Sequence, residues 1–292
     1  MKKFELTAEF VTNVFGKKLF RIKALVAFGN VEKGELGGFI EKEDNLSHSG
    51  NAWVSDNAWV SDNARVSDNA QVSGDARVSG DAQVSGNARV SDNARVSGDA
   101  RVSGNAWVSD NAWVSGNARV SDNALVSDNA WVSGNARVSG DARVSGNAWV
   151  SDNVWVSDNA WVSGNAQVSD NARVSGDAQV SGNARVSDNA RVSGNAQVSG
   201  NAQVSGNARV YNNADYTVVI GFGHCFRATT FFRCKDKILR VQCGCFYGDL
   251  AQFREIVKKT HGDSKYAKEY LAIADLMELH FSDDEEKQEA AK

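Results

Sequence analysis

Small and hydrophobic residues recur with a strict six-residue period between Asn51 and Asn212. The repeated unit, or hexad, is Asn/Asp-Ala-x-Val-Ser-Asp/Gly, and it occurs 27 times without insertion or deletion. Most of the variation lies at x, which holds Arg, Trp, Gln or once Leu, while Val154 replaces Ala in one hexad. Such regularity indicates a solenoid of stacked units rather than a compact domain with an irregular core.

Each hexad predicts a short strand followed by a corner. In Ala-x-Val the small and apolar residues point to one side of the strand and x points to the other. Ser, Asp/Gly and Asn/Asp follow, and these residues tolerate left-handed or turn backbone. Three hexads should close a triangular coil, so the sequence predicts about nine coils stacked at about 4.8 Å.

The spacing of Val and Ala resembles that of the hexapeptide-repeat family, in which an aliphatic residue is followed four positions later by a small one. Val54 with Ala58 and Val60 with Ala64 follow this pattern, as do the later hexads. The resemblance implies a left-handed parallel β-helix, so we expect a mainly β fold. Burial should contribute about 1.5 kcal/mol or more for each Val.

Segments of different composition flank the repeat. Residues 1–50 contain alternating apolar runs separated by glycines and predict an N-terminal β cap. Residues 51–212 are the predicted solenoid, residues 213–281 a small C-terminal α+β capping domain, and residues 282–292 a disordered charged tail. Caps are expected because each end of a solenoid exposes unpaired backbone.

Local patterns predict the elements of both caps. The predicted strands lie at 19–25 and 38–40 before the repeat and at 217–220, 229–234 and 238–243 after it. Asp249 is the expected N-cap of a helix ending near Thr260, and a second helix is expected over 264–281. Residues 45–50 read as a degraded hexad, with Leu46 in the Ala position and His48 in the Val position.

Part of the C-terminal segment resembles a small domain at the end of uncharacterised phage and prophage proteins. The resemblance rests on Thr230–Arg233, Cys243–Phe246, Gly248 and Thr260–Gly262. It implies a phage or prophage origin for the chain and no known chemistry.

Taking every third hexad assigns x to three outer faces. The first face carries Trp53, Gln71, Arg89, Trp107, Leu125, Arg143, Trp161, Gln179 and Gln197. The second face carries Trp59, Arg77, Arg95, Trp113, Trp131, Trp149, Gln167, Arg185 and Gln203. The third face carries Arg65, Gln83, Arg101, Arg119, Arg137, Trp155, Arg173, Arg191 and Arg209. All eight tryptophans are therefore expected on the outside.

The tryptophans of the middle coils form the first candidate site. A cluster of exposed tryptophans is typical of an interface, so we expect a protein partner or self-association into a homo-oligomer. The candidate partner-binding residues are Trp107, Trp113, Leu125, Trp131, Trp149, Trp155 and Trp161. The alternative is that Trp is merely tolerated on an outer sheet face after duplication of near-identical hexads.

Arginine dominates the third face and suggests an anion track, with tryptophans as platforms for stacked bases. The candidate anion or nucleic-acid contacts are Arg101, Arg119, Arg137, Arg173, Arg191 and Arg209. Aspartates at the adjoining corners, however, predict exposed ion pairs that neutralise much of this charge, and the net charge of the chain is -4. Nucleic-acid binding along the Arg face is therefore the weaker alternative.

Catalytic residues are scarce in this sequence. The hexads contain no His, Cys or Glu, so the histidines that hexapeptide-repeat acyltransferases and carbonic anhydrases use have no counterpart there. The enzymatic alternative is an acyltransferase with a site in the caps, at His48 or His261. We expect instead that nearby backbone satisfies His48 and that the protein is not an enzyme.

Four cysteines lie close together after the repeat: Cys225, Cys234, Cys243 and Cys245. With His224 and His261 they suggest zinc, but the Cys-x2-Cys spacing of a structural zinc site is absent. We therefore expect buried free thiols between a hairpin and the helices, with no metal and no cofactor.

The start of the chain has two lysines without an apolar run, and no stretch approaches 18 apolar residues. These features predict a cytoplasmic protein without a membrane span, in the host cytoplasm if it is phage-encoded. The sequence as a whole favours a non-enzymatic binding or scaffold protein that presents Trp and Arg faces. Action on host defence machinery is a role suggested only by the phage resemblance.

Overall fold

Stacked two-residue strands form most of this computed structural model, which describes residues 1–289, with side chains as far as Ser282. Strands β4–β30 are the x-Val pairs of successive hexads, from Trp53–Val54 to Arg209–Val210. Strands three hexads apart pair in parallel and in register. The result is a mainly β parallel solenoid of about ten turns with three outer faces.

Val and the small residue of each hexad fill the interior, as predicted. From Ala52 to Val210 every one of them is at most 1% exposed, including Val154. The backbone of each coil donates to the next, so that the Trp131 N–H bonds the Ala148 carbonyl at 2.9 Å. At the substituted hexad the ladder is unbroken, with the Arg137 N–H 2.9 Å from the Val154 carbonyl.

Corner residues take left-handed backbone and bond the next coil. The φ angle is 61° at Asp122 and 69° at Gly140, one coil further on. Asp122 Oδ2 accepts a hydrogen bond from the Gly140 N–H (3.2 Å) and another from Ser121 Oγ (3.2 Å). These bonds offset the cost of left-handed backbone, about 1–2 kcal/mol for a residue with a Cβ.

The position after the Asp/Gly corner forms amide ladders along the rod. The Nδ2 group of Asn87 donates to Asn105 Oδ1 (3.0 Å), and Asn105 donates in the same way to Asn123 (3.0 Å). The ladder ends where Asn123 donates to Asp141 Oδ1 (2.9 Å). Corner side chains therefore join successive coils rather than extending freely into solvent.

The N-terminal cap extends the sheet of the second face beyond the first coil. It consists of β1 (Phe4–Thr12), β2 (Lys18–Ala24) and β3 (Leu36–Ile40), of which β1 was not predicted. Strand β3 pairs in parallel with β5, Trp59–Val60. The N–H groups of Phe39 and Glu41 donate to the carbonyls of Ala58 (2.9 Å) and Val60 (3.0 Å), so β3 replaces a preceding coil.

Backbone carbonyls of the first coil that do not pair with β3 accept hydrogen bonds from side chains of the N-terminal cap. Asn45, at the end of a 3-10 turn over Glu43–Asn45, is fully buried and donates from Nδ2 to the Ala64 carbonyl (2.8 Å). Lys3 Nζ donates to the Ala52 carbonyl at 2.8 Å. Unpaired carbonyls at the solenoid end are thereby satisfied, as a buried backbone group requires.

The degraded hexad before the repeat lies two residues out of the expected register. Leu46 pairs with Val66 instead of Ala64, because the chain between Leu46 and Ala52 is two residues longer than the corner from Val66 to Ala70. Assigning His48 to a Val position is therefore wrong.

Three contacts hold the His48 ring. It stacks on Phe4 with centroids 4.3 Å apart, its Nδ1 accepts from the Lys3 N–H (3.2 Å), and its Nε2 lies 2.7 Å from Glu43 Oε1. The prediction that nearby backbone satisfies His48 is confirmed for Nδ1, whereas a side chain, that of Glu43, pairs with Nε2.

A small sheet with two helices follows the solenoid. Its antiparallel strands are β31 (Tyr216–Phe222), β32 (Arg227–Arg233), β33 (Leu239–Cys243) and β34 (Phe246–Asp249), and its helices are α1 (Leu250–His261) and α2 (Lys265–Glu289). Phe232 and Cys234 join the end of the solenoid core. Thr230 Oγ1 accepts from the Gln203 N–H (2.9 Å), which has no further coil to bond.

Most C-terminal elements agree with the sequence patterns. Asp249 caps α1 as predicted, its Oδ1 accepting from the Gln252 N–H at 2.8 Å. Strand β34 was missed, and α2 continues to Glu289 instead of ending at Phe281. The predicted disorder of the charged tail over 282–292 stays a prediction, and residues 290–292 lie outside the described residues. Neither α1 nor α2, within residues 1–289, is long and apolar enough to cross a membrane.

Exchanging Asp122 tests the corner hydrogen bond. Asp122→Ala keeps a Cβ in left-handed backbone but loses the bond to the Gly140 N–H, so we expect a loss of about 1–2 kcal/mol in the free energy of unfolding. Asp122→Gly loses the same bond but has no Cβ, and it should cost clearly less. Urea denaturation of both variants checks the order, and an Ala variant as stable as the Gly variant would contradict it.

Lys3 gives the N-terminal cap a pH dependence. Burial lowers the pKa of its amine from 10.5 to about 8. Between these values the unfolded chain binds more protons at this residue than the folded chain, so the contribution of Lys3 to stability rises with pH. We expect the free energy of unfolding of the wild type to increase relative to Lys3→Met between pH 8 and pH 10.5. If urea denaturation shows that the free energies of unfolding of the wild type and Lys3→Met change equally with pH, the assignment of this pH dependence to Lys3 is refuted.

Candidate interaction surface

The second face carries a continuous column of tryptophans. Strands β14, β17 and β20 pair in register and bring Trp113, Trp131 and Trp149 into line along the rod. The rings of Trp113 and Trp131 lie 4.9 Å apart and 3° from parallel, and those of Trp131 and Trp149 lie 5.1 Å apart and 6° from parallel. This Trp stack forms because the strand spacing of about 4.8 Å is also a favourable separation for offset aromatic rings.

Hydrogen bonds fix the orientation of the stacked rings. Trp113 Nε1 donates to Ser97 Oγ (3.1 Å), and Trp131 Nε1 donates to Ser115 Oγ (3.3 Å). Neighbouring rings cover both faces of Trp131, which is nevertheless 36% exposed. The stack therefore presents ordered indole edges to solvent.

Trp155 on the third face lies between two guanidinium groups. Arg137 and Arg173 stack over its two sides at 5.0 and 4.7 Å from the ring centroid. The flanking cations occupy the ring faces, and the edges of Trp155 leave it 41% exposed. The structure thus places Trp155 among arginines on the third face, apart from the tryptophan column of the second face.

The first face has a recess beside its tryptophans. Trp107 and Trp161 lie three coils apart, with Leu125 and Arg143 between them. This recess has a volume of about 660 Å³ and is bounded on one side by the corner ladder that includes Asn123. The smaller Leu125 side chain lowers the floor between the two indoles.

Trp53 departs from the predicted arrangement. Its side chain is only 1% exposed and packs edge-on against Phe28 at 5.4 Å, so the prediction that all eight tryptophans point to solvent is wrong. The N-terminal cap covers this part of the first coil. A Cβ on Gly37 would lie 2.7 Å from the Trp53 ring, which requires glycine at the closest approach.

The predicted lattice of Arg–Asp ion pairs is absent from residues 1–282, where side chains are described. No solenoid Arg lies within ion-pair distance of a corner Asp in this region. Corner carboxylates such as Asp122 and Asp128 instead accept backbone N–H groups from the next coil. The lattice prediction is wrong because these local bonds turn the carboxylates along the rod.

The Arg column of the third face is in register along the rod. The positions predicted as anion contacts occur in two runs separated by Trp155: Arg101, Arg119 and Arg137, then Arg173, Arg191 and Arg209. Burial lowers the pKa of Arg209, and the positive charges of Arg191 and Arg173 lower it further. The column is thus one of like charges without carboxylate partners among the described side chains.

The C-terminal cysteines do not share one environment. Cys234 is buried, and burial raises the pKa of its thiol, but Cys225 and Cys245 are exposed and Cys243 is half-buried. The expectation of uniformly buried thiols is therefore wrong. In the part of the chain whose side chains are described, no three His, Cys, Asp or Glu residues are placed to hold one metal ion.

The turn between β1 and β2 was not predicted from the sequence to be part of a candidate surface. Val14 and Phe15 in this turn are 90% and 85% exposed. The signal was present as Asn13 and Gly16 between two alternating runs, which is typical of a hairpin turn.

Stacking should make Trp131 more important for stability than Trp107. Trp131→Gln removes two ring contacts, each contributing about 0.5–1.5 kcal/mol beyond area burial, whereas Trp107 has no ring stacked on it among the described residues. We expect the free energy of unfolding to fall by about 1–3 kcal/mol more in Trp131→Gln than in Trp107→Gln. Equal losses in urea denaturation would show that the stack contributes nothing.

Comparison with known proteins identifies the repeat. The model of the YdcK beta solenoid repeat matches residues 70–86, 82–98, 94–110, 100–116, 118–134, 130–146, 136–152, 166–182, 178–194, 184–200 and 202–214. These matches cover less than half of the chain and lie within or at the end of the stacked hexads. A search of curated proteins finds no match. The family match and the stacked parallel strands both show that the chain is a β-solenoid repeat protein.

Proposed function

We propose that this chain is a non-enzymatic binding or scaffold protein whose Trp-bearing outer faces contact a protein partner or a second copy of the chain. The observation that carries the proposal is the Trp stack of Trp113, Trp131 and Trp149 on the second face. The recess of the first face, with Trp107 and Trp161, adjoins it around the corner of the prism. Trp and Arg are the side chains most enriched at the centres of interfaces.

Preorganisation supports a contact role for the stack. Each indole is fixed by its neighbours, and Trp113 and Trp131 also donate hydrogen bonds to serines. Binding would therefore immobilise few additional side chains, and ordering a flexible side chain costs about 0.5–1.5 kcal/mol. A flat strip of ordered aromatic edges suits another flat protein surface.

The same geometry disfavours base stacking on these tryptophans. A base needs an open ring face, but both faces of Trp131 are covered by indoles and both faces of Trp155 by guanidinium groups. One observation keeps nucleic acid as a second candidate: the third-face arginines lack carboxylate partners among the described side chains. Binding to DNA that weakens steeply with salt and is lost on substitution of Arg119 and Arg191 would support this second candidate.

An acyltransferase site in the caps remains the enzymatic alternative. Both ring nitrogens of His48 are within hydrogen-bond distance of Lys3 or Glu43, which leaves this histidine poorly placed as a general base. His261 borders a cavity of about 270 Å³ with Cys243 and Tyr270. Acyl transfer that disappears on substitution of either histidine would replace our proposal with this one.

We also propose the handedness of the solenoid, its family relationship and the origin of the chain. The left-handed crossover and the hexapeptide-repeat relationship are supported by the spacing of Val and small residues, and the phage or prophage origin by the C-terminal resemblance. We propose a cytoplasmic location because the four cysteines are free thiols. Action on host defence machinery would follow only from that origin.

Combined substitution of Trp113, Trp131 and Trp149 by Gln tests the proposed contact surface. The buried core is untouched, so we expect the fold to persist with reduced stability, while self-association or partner capture falls at least tenfold. Sedimentation velocity measures self-association, and affinity capture from host cells followed by binding of the purified partner measures the second alternative.

Trp155→Gln is the matched control because it removes an indole of similar exposure from the third face, outside the Trp stack. It should leave assembly and partner binding unchanged. An unchanged sedimentation profile together with unchanged partner binding in the triple variant would contradict the proposed contact surface.

A further inference from the structure

The β1–β2 turn and the start of the second face enclose a cleft of about 460 Å³. One wall is the turn with Val14 and Phe15, and the floor contains Trp59, Arg77, Arg95 and Trp113, together with small serines. Its volume lies within the range of about 300–1,000 Å³ typical of small-molecule sites. Here an element outside the repeat faces the x side chains and creates a feature that the hexads alone do not have.

The wall is held rigidly by the turn. Asn13 Oδ1 accepts hydrogen bonds from the N–H groups of Phe15 (3.0 Å) and Lys17 (2.9 Å), and the Asn13 N–H donates to the Lys17 carbonyl (2.9 Å). Lys17 Nζ also bonds Asp62 at the solenoid corner. The turn is thus tied to the solenoid while Val14 and Phe15 stay exposed.

The floor pairs two arginines between two tryptophans. Strand pairing places Trp59, Arg77, Arg95 and Trp113 in register on successive coils, at about 4.8 Å per coil. Arg77 stacks over the Trp59 ring at 4.7 Å. Neither arginine has an ion-pair partner among the described carboxylates, so adjacent guanidinium groups repel each other until an anion lies between them.

Charge distinguishes this cleft from the chain as a whole. Its charged lining consists of Lys17, Asp62, Arg77 and Arg95, and Glu41 lies 3.7 Å from Lys17 Nζ, which gives a local balance of +1 in a chain of net charge -4. The ion pair with Lys17 lowers the pKa of Asp62 and keeps that carboxylate ionised but neutralised by its partner. The two arginines therefore remain to attract an anion.

We propose that this cleft binds a small ligand that combines a flat aromatic ring with a phosphate group. The guanidinium groups of Arg77 and Arg95 bind the oxyanion, for which their planar donors are well suited. The ring lies against Phe15 and the indole of Trp113. This site is distinct from the protein contact surface proposed above, although Trp113 borders both.

Calorimetric titration with adenosine monophosphate and phenyl phosphate tests the proposal, with adenosine and inorganic phosphate as half-ligands. At least one aromatic phosphate should bind in the millimolar range or tighter, and each half-ligand at least fivefold more weakly. Arg95→Gln and Phe15→Ser, both at exposed positions, should each weaken that binding at least fivefold.

Arg185→Gln is the matched control, since Arg185 lies on the second face outside the cleft. It should leave the affinity unchanged, and circular dichroism should show that all variants are folded. Three results would overturn the proposal: neither aromatic phosphate binds at millimolar concentration, inorganic phosphate binds as tightly as they do, or Arg185→Gln weakens binding as much as Arg95→Gln.

Discussion

The backbone hydrogen-bond ladder between coils is the constraint on which the rest of the structure depends. Each coil donates to the next with the same register, so every side chain is repeated at one strand spacing along the rod. Corner aspartates and asparagines extend the ladder, because Asp122 and Asn105 bond the equivalent region of the following coil. An inserted residue would either bulge out of a corner or shift the columns out of register.

The ladder also determines what the outer faces can do. Side chains at x are neighbours along the rod at a distance suited to ring stacking. The Trp131 ring therefore stacks on Trp113 and Trp149 of its own column even without a partner. A column of one residue type becomes an ordered strip, as in the Trp stack, and a column of mixed size becomes a recess, as at Leu125. Variation at x therefore changes the surface without changing the core, which is the property a binding scaffold needs.

The six-residue period predicted the buried positions and the columns of the repeat. It placed Trp113, Trp131 and Trp149 in one column, and the capping pattern predicted the start of α1 at Asp249. The prediction failed where the cap meets the repeat, because the cap covers Trp53 and two additional residues after Leu46 shift its register. The sequence also predicted that corner carboxylates pair with arginines, whereas they bond backbone N–H groups of the next coil, a partner that composition does not reveal. The cleft beneath Phe15 was missed for a related reason, because it joins residues far apart in sequence.

If the second face is a contact surface and not only a stabilising stack, its tryptophans should be protected where a partner is present. Hydroxyl-radical footprinting in an extract of cells that express the chain, compared with the purified chain at low concentration, tests this most directly. Oxidation of Trp113, Trp131 and Trp149 should fall in the extract, while oxidation of Trp155 between its two arginines stays the same. Equal oxidation of the three stacked tryptophans in both conditions would contradict the account.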